Sequence, residues 1–593
     1  MADILSQNET MATGGAGADG RTAGQSIITW HGFAQLAISP TAWTVAFVTL
    51  ICLALLFPVS LPIGSYYWDV TLYADAAWRI NSGQMPNVDF FTPAGPLEYY
   101  AFAVLESIFP NGNLVLLSNW SIQLVALPLM IATMHHAGRP NRNIALALLL
   151  PFIFFAFAPL NTTETYPLPG VDGFGIYNRH TALLMYVLLC CILFVRNASA
   201  QILLLSALML ALFFTKITGF AIGLGLITHG VVAGRIDRRT LWFAAIGTGA
   251  GILAVEISIG IVSAYLNDIM TLLTLNQSDV LETLRKPLNG YPATIAAVIA
   301  MAAFLLWERR ILVGGLLSYK TGIPFWRRIQ SAANLESTWL LSILLATIVF
   351  ESQNTGSLEY VLLWPLVIAI AADRWPNYSA TNLVAGGLAL IILAPFITGQ
   401  ANRMVRAAAV SLTYQKPNLP ETGKLGLIMV KPDLIKRSAT MSKHYADNKG
   451  AYDKLVSANQ DQSYLLNAEP GFQLVWLKNI NEAVQAIRTY ENKNNLRMRQ
   501  ILTLDFVDPL PALLGRTPVR LVSIGRMEGR TVPPLTGERL KAAHMADAFL
   551  VPRCPATQTV HYLVTLFQPV LSQRKKVSLT PCWDMYIRPQ MAH

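Results

Sequence analysis

Acidic side chains are scarce in this 593-residue chain, with 34 Asp and Glu against 44 Lys and Arg. Four of them, Asp69, Asp75, Asp89 and Glu98, nevertheless fall in one stretch, YYWDVTLYADAAWRINSGQMPNVDFFTPAGPLEYY at 66–100. A carboxylate held within reach of a hydroxyl can take its proton, so this stretch carries the residue types of general-base chemistry. A short amphipathic helix is predicted over 70–80 and closed by Asn81, Ser82 and Gly83. Asp69 stands at its start, where it would either cap the helix by accepting backbone N–H groups or serve as a base. Asp69 shares a helix face with Tyr73 at i,i+4. Asp75 points well away and has Arg79 four residues on, the spacing of an exposed ion pair. A Pro- and Gly-punctuated loop crowded with aromatic rings follows, ending on Tyr99 and Tyr100.

Three further stretches gather groups that bind anions or hydroxyls. ETYPLPGVDGFGIYNRH at 164–180 supplies Glu164, Asp172, Asn178, Arg179 and His180. FFTKITGF at 213–220 puts Lys216 at a tight turn between two apolar runs, and FESQNTGSLEY at 350–360 brings Glu351, Gln353 and Asn354 between two others. Each also has a plainer explanation, as a connecting loop or a snorkelling lysine. If they are functional, Arg179 and Lys216 sit at the depth of a lipid headgroup and suit a phosphate.

The elements that must position these groups are membrane helices. Hydrophobic residues make up 53% of the chain and charged ones 13%, with a mean hydropathy of +0.43. Soluble domains carry about 25% charged residues. Apolar runs that could span begin near Thr41 and recur at 113–134, 143–160, 180–195, 199–214, 216–233, 240–264, 291–307, 337–351, 357–372 and 380–398, about eleven in all. The net charge of +10 comes from Lys and Arg in short loops between these runs, which points to membrane topology and away from nucleic acid. One set of alternate loops is far more basic than the other, whose only cations are Arg79, Arg179, Lys216, Arg285 and Lys286. That bias puts the N-terminus in the cytoplasm, with the 66–100 loop and everything after Gln400 outside.

Residues 1–40 read as a disordered cytoplasmic tail, 41–400 as the transmembrane domain, and 401–593 as an extracytoplasmic α/β domain. In the last, strand-like LGLIMV (425–430), RQILTLDF (499–506) and VRLVSIG (519–525) alternate with helix-like 479–495 and 559–573. Cys52, Cys190 and Cys191 lie in apolar spans. Cys554 and Cys582 are the only two in the outer domain and are expected to pair there. No carboxylate or thiol–histidine cluster has convincing metal spacing; no cofactor is firmly implied, though a divalent cation stays open.

An N-terminal span followed by D-x-x-x-Y-x-x-A, G-x-x-P and F-x-P-x-G-P-x-x-Y-Y resembles the GT-C superfamily of integral-membrane glycosyltransferases, whose architecture is shared by protein mannosyltransferases and aminoarabinose transferases. The residues that carry it are Asp69, Tyr73, Ala76, Gly83, Pro86, Phe91, Pro93, Gly95, Pro96, Tyr99 and Tyr100. The resemblance implies a polyprenyl-phosphate sugar donor, a glycan, lipid or protein acceptor in the cell envelope, inversion at the anomeric centre, and Asp69 as the base. It implies a multi-pass protein of the bacterial inner membrane with its C-terminal domain in the periplasm. The other polar residues named above would then bind substrate, with Tyr99 and Tyr100 stacking on sugar rings or anchoring at the interface. Two other classes remain, a lipid-linked-sugar flippase or secondary transporter and a non-catalytic scaffold. A transporter would place ionisable groups near mid-membrane, where Glu256 is the one clear acid.

Overall fold

The computed structural model describes residues 39–591 except 93, 138–141, 161–165, 277–279, 312–313, 315–323, 353–359, 375–378 and 461–468. The chain is a polytopic α-helical membrane protein with a C-terminal α/β domain. Among the described residues, five helices are long and apolar enough to cross a bilayer: Leu114–Ala137, Ile176–Phe194, Ala198–Thr215, Arg238–Ile259 and Ala380–Ser411. Two bent pairs reach that length together, 282–308 with a 79° bend and 325–351 with a 65° bend. Shorter apolar helices occupy Pro40–Leu56, Asn143–Phe157, Ile217–Val232 and Ile261–Leu275. The Ile176–Phe194 helix is enclosed on nearly every side, whereas Arg238–Ile259 turns most of its apolar surface outward. Such a helix is stable only where the surroundings are themselves apolar.

The run expected to span 240–264 ends at Gly260, whose φ of 65° stops the helix. Glu256 accepts the backbone N–H groups of Val262 (2.8 Å) and Ser263 (3.1 Å), so it caps the helix that follows. The acid that a transporter reading would have used is therefore a helix cap.

The short helix after the first apolar helix runs Val70–Asn81, as its periodicity predicts, and Gly83 follows at φ 83°. Two seams fix the loops around it. Residues 63–66 lie against 170–173, with Ile63 bridging Val171, so close that a Cβ on Gly170 would strike the Ile63 carbonyl. The aromatic loop lies against the turn before Lys216: Gly95 N–H donates to Thr215 O (2.9 Å), and a Cβ there would collide with the Phe214 carbonyl oxygen.

In the C-terminal domain a five-stranded sheet has the order β4-β3-β5-β7-β6, with β3 Gln500–Thr503, β4 Thr517–Pro518, β5 Ala548–Pro552, β6 Lys575–Thr580 and β7 Trp583–Ile587. Strand β3 is parallel to β4 and β5, while β7 runs antiparallel to β5 and β6. Of the strands expected there, only 499–506 joins this sheet as a full member. The 425–430 run instead forms β2 (Ile428–Met429), parallel to β1 (Leu61–Pro62) at the end of the first apolar helix. The 519–525 run zips onto the first loop: Phe91 N–H donates to Val522 O (3.1 Å) and Ile524 N–H to Phe91 O (3.0 Å). Each run contributes only a short extended piece, and its ladder partners lie in the membrane half of the chain. The 380–411 helix passes position 400 without a break. Cys554 and Cys582 form a disulfide, 28 residues apart in sequence, as expected.

Candidate active site

Asp69 closes a 3-10 turn (Tyr67–Asp69) and enters the 70–81 helix with right-handed φ/ψ of −62° and −25°. Its carboxylate makes no capping hydrogen bond, which corrects the cap expectation: a capping residue needs an extended backbone for its side chain to reach back. The carboxylate oxygen Oδ1 is buried without a hydrogen-bond partner among the described residues. Burial pushes the Asp69 carboxyl up to about 8, and burial, then the Asp69 charge, raises the phenol of Tyr66. A carboxylate whose value is raised by burial is a stronger proton acceptor than an exposed aspartate.

One turn on, Tyr73 donates from its hydroxyl to Glu98 Oε2 at 2.7 Å, and its ring packs against Tyr99, Phe102 and His180. Glu98, wholly buried in the first turn of the Pro96–Ile108 helix, faces His180 Nδ1 with its other oxygen at 3.7 Å. His180 Nε2 lies 3.3 Å from the Asn119 carbonyl, which can only accept, so that nitrogen carries the proton. Sequence reading noted Glu98 as an acid but gave it no role. Its signal was a carboxylate inside an otherwise apolar helix turn.

Arg179 sits beside His180 in the first turn of the 176–194 helix and is 2% exposed. None of its three guanidinium nitrogens has a hydrogen-bond partner among the described residues. Asn178, the preceding residue, accepts from Lys216 Nζ at 2.6 Å. That ammonium also lies over the rings of Tyr177 (5.4 Å) and Phe350 (5.2 Å), and the charges of Glu351 and Glu98 reach it. The helix start at 176, the helix end at 351 and the turn at 216 thus bring Asn178, Lys216 and Glu351 together at one end of the bundle, while the neighbouring Arg179 feels the charges of Asp172, Tyr73 and Arg403. Tyr73, Glu98 and His180 connect this group to the helix that Asp69 opens.

The remaining candidates divide. Asp172 is taken by Arg403 of the 380–411 helix at 2.6 Å. Tyr99 is buried and its hydroxyl accepts from Thr92 at 2.7 Å, so its ring packs the interior and is not presented for stacking. Tyr100 is half-buried against the Phe213–Phe214 cluster. Asp75 and Arg79 pair at 2.9 Å, but at 3% and 0% exposure, which corrects the exposed pair expected from spacing alone. The C-terminal domain covers that face, and Arg79 Nη1 donates to Val519 O at 2.7 Å. Glu164 and Asn354 lie outside the described residues. Among the described residues no group of three or more His, Cys, Asp or Glu converges as metal ligands do.

No family model matches the chain, and no curated protein matches it. Among solved structures it is similar to ArnT from Cupriavidus metallidurans in the apo state, at 15% identity and a TM-score of 0.40, over 93% of this chain and 99% of that one. The same protein bound to undecaprenyl phosphate matches at 14% identity and a TM-score of 0.41, over 94% and 100%. The archaeal oligosaccharyltransferase AglB from Archaeoglobus fulgidus, in complex with an inhibitory peptide and a dolichol-phosphate, matches at 10% identity and a TM-score of 0.28, over 93% and 75%. Likenesses at this level leave the chemistry to be read from the site itself.

Proposed function

We propose that the chain is a GT-C-type membrane glycosyltransferase that moves a sugar from a polyprenyl-phosphate donor to an extracytoplasmic acceptor, a glycan, lipid or protein. The observation that carries this reading is the Arg179 guanidinium, buried and without a hydrogen-bond partner among the described residues, at the head of a membrane helix. A buried guanidinium without hydrogen-bond acceptors is costly, and an anion seated against it would supply them. At that depth the anion is a lipid phosphate, with Lys216 as its second contact.

In the reaction, the acceptor hydroxyl gives its proton to Asp69 and its oxygen attacks the anomeric carbon. The bond from that carbon to the phosphate oxygen breaks, and polyprenyl phosphate leaves as an anion neutralised by Arg179 and Lys216. Direct displacement inverts the anomeric centre. Tyr73, Glu98 and His180 fix the wall between base and phosphate. The asymmetry of Lys and Arg orients the site and the C-terminal domain outside, the periplasmic side of a bacterial inner membrane.

The test is purified protein in lipid nanodiscs with a panel of polyprenyl-phosphate sugars, following release of polyprenyl phosphate. Transfer is expected from at least one donor, and Arg179→Ala should raise the donor KM about tenfold or more. The reading fails if no donor is consumed and undecaprenyl phosphate binds Arg179→Ala as tightly as wild type.

A further inference from the structure

Asp69 follows two residues that the C-terminal domain holds. Tyr67 donates from its hydroxyl to the Leu425 carbonyl at 2.9 Å. Trp68 donates its backbone N–H to Gln473 Oε1 at 3.0 Å, across 405 residues of sequence. Its indole, 1% exposed, meets Phe472 and Trp476 edge-on at 5.7 and 5.9 Å and Phe506 at 5.3 Å. Phe472, Gln473 and Trp476 belong to the Pro470–Lys493 helix, and Phe506 to the loop leaving the carboxyl end of β3. Strand β5 pairs β3 up to Thr503, while β4 stops beside Ile501. An indole from the membrane half of the same chain thus packs against the loop that leaves β3.

Tyr66, just before this clamp, is held at φ 53° and ψ 34°, a left-handed conformation that a tyrosine keeps only where its surroundings over-determine it. Asp69 N–H in turn donates to Tyr66 O at 3.1 Å. The turn that aims Asp69 is therefore pinned from the far domain.

We propose that the C-terminal domain sets the position of Asp69 through Trp68 and Gln473, which makes Gln473 a positioning residue acting at a distance from any reacting atom. The domain is part of the transfer apparatus because it holds the base. In kinetic terms this rests on the glycosyl-transfer reading; the clamp itself does not.

Two measurements on the full chain in nanodiscs separate the two. In amide hydrogen exchange, Gln473→Met, which lacks the acceptor, should exchange about tenfold faster than wild type across residues 67–71. Gln473→Glu, which keeps an acceptor, should stay near wild type. Leu563→Ala, in the domain's separate core on the far side of the sheet, should leave that segment unchanged. In transfer assays Gln473→Met should lower kcat about tenfold at an unchanged donor KM. Its acid limb should move to lower pH, because a loosened Asp69 regains water; a general loss of stability would not move that limb. Unchanged exchange in Gln473→Met, or equal acceleration by Leu563→Ala, overturns the clamp. Wild-type protein that transfers no sugar sinks the glycosyltransferase reading, while the exchange result still decides the clamp.

Discussion

At the scale of single residues, the decisive contrast lies between Asp69 and Asp75. Asp75 is buried in one short helix and Asp69 is half-buried at its start, yet Asp75 pairs with Arg79 at 2.9 Å while Asp69 Oδ1 meets no donor among the described residues. With its carboxyl pushed up to about 8, Asp69 is mostly protonated at neutral pH and cannot accept a proton. Turnover should therefore rise about tenfold per pH unit below 8 and level off above it. Asp69→Asn removes the base and should lower kcat by about 10²-fold or more while the fold persists. The stability effect has the opposite sign to the usual aspartate. A raised folded-state value favours the protonated form, so this group's contribution falls as pH climbs from the ordinary carboxylate range through 8. Asp69→Asn should thus melt no lower than wild type at pH 8 to 9, by thermal unfolding. A variant with near-full turnover would leave Asp69 a structural residue.

At the scale of elements, the site depends on backbone seams that side-chain patterns do not advertise. Gly95 lets the aromatic loop touch the Phe214–Thr215 turn, and that turn delivers Lys216 to Asn178. Gly95→Ala would force the two backbones apart, because its Cβ would collide with a carbonyl oxygen, which cannot rotate away as a flexible side chain would. A loss of roughly 1–3 kcal/mol is expected from such overpacking, together with a raised donor KM as Lys216 shifts. Denaturation and donor titration of this one variant check both halves, and wild-type values in each would discard the seam as a positioning device.

At the scale of the whole molecule, the first loop and the C-terminal domain form one body. The contacts of β1 with β2, of residues 89–91 with 521–524, and of Trp68 with the 470–493 helix put them on the same face of the helical region. The Cys554–Cys582 bridge closes a loop of 28 residues in that domain. On the chain-entropy account it contributes about 3.6 kcal/mol, so reduction should lower the domain's unfolding midpoint measurably. In unreduced protein both thiols should resist alkylation, and a C-terminal reporter should be active only outside the cytoplasm. Free thiols or a cytoplasmic reporter would reverse the proposed orientation.

The sequence by itself determined the membrane class, a helix over 70–80, and the pairing of the two cysteines of the C-terminal domain. Hydropathy, periodicity and residue type are local properties, and each of those readings needed nothing more. It could not determine that Asp75 is buried, that Glu98 holds Tyr73, or that the extended runs at 425–430 and 519–525 find their partners in the membrane half. Those facts depend on contacts between positions 25 to more than 400 residues apart, for which spacing along the chain carries no signal. Whether Asp69 caps its helix was likewise decided by tertiary structure. The backbone turn that withholds the cap is held in place by Trp68 and Gln473, brought together only by the fold.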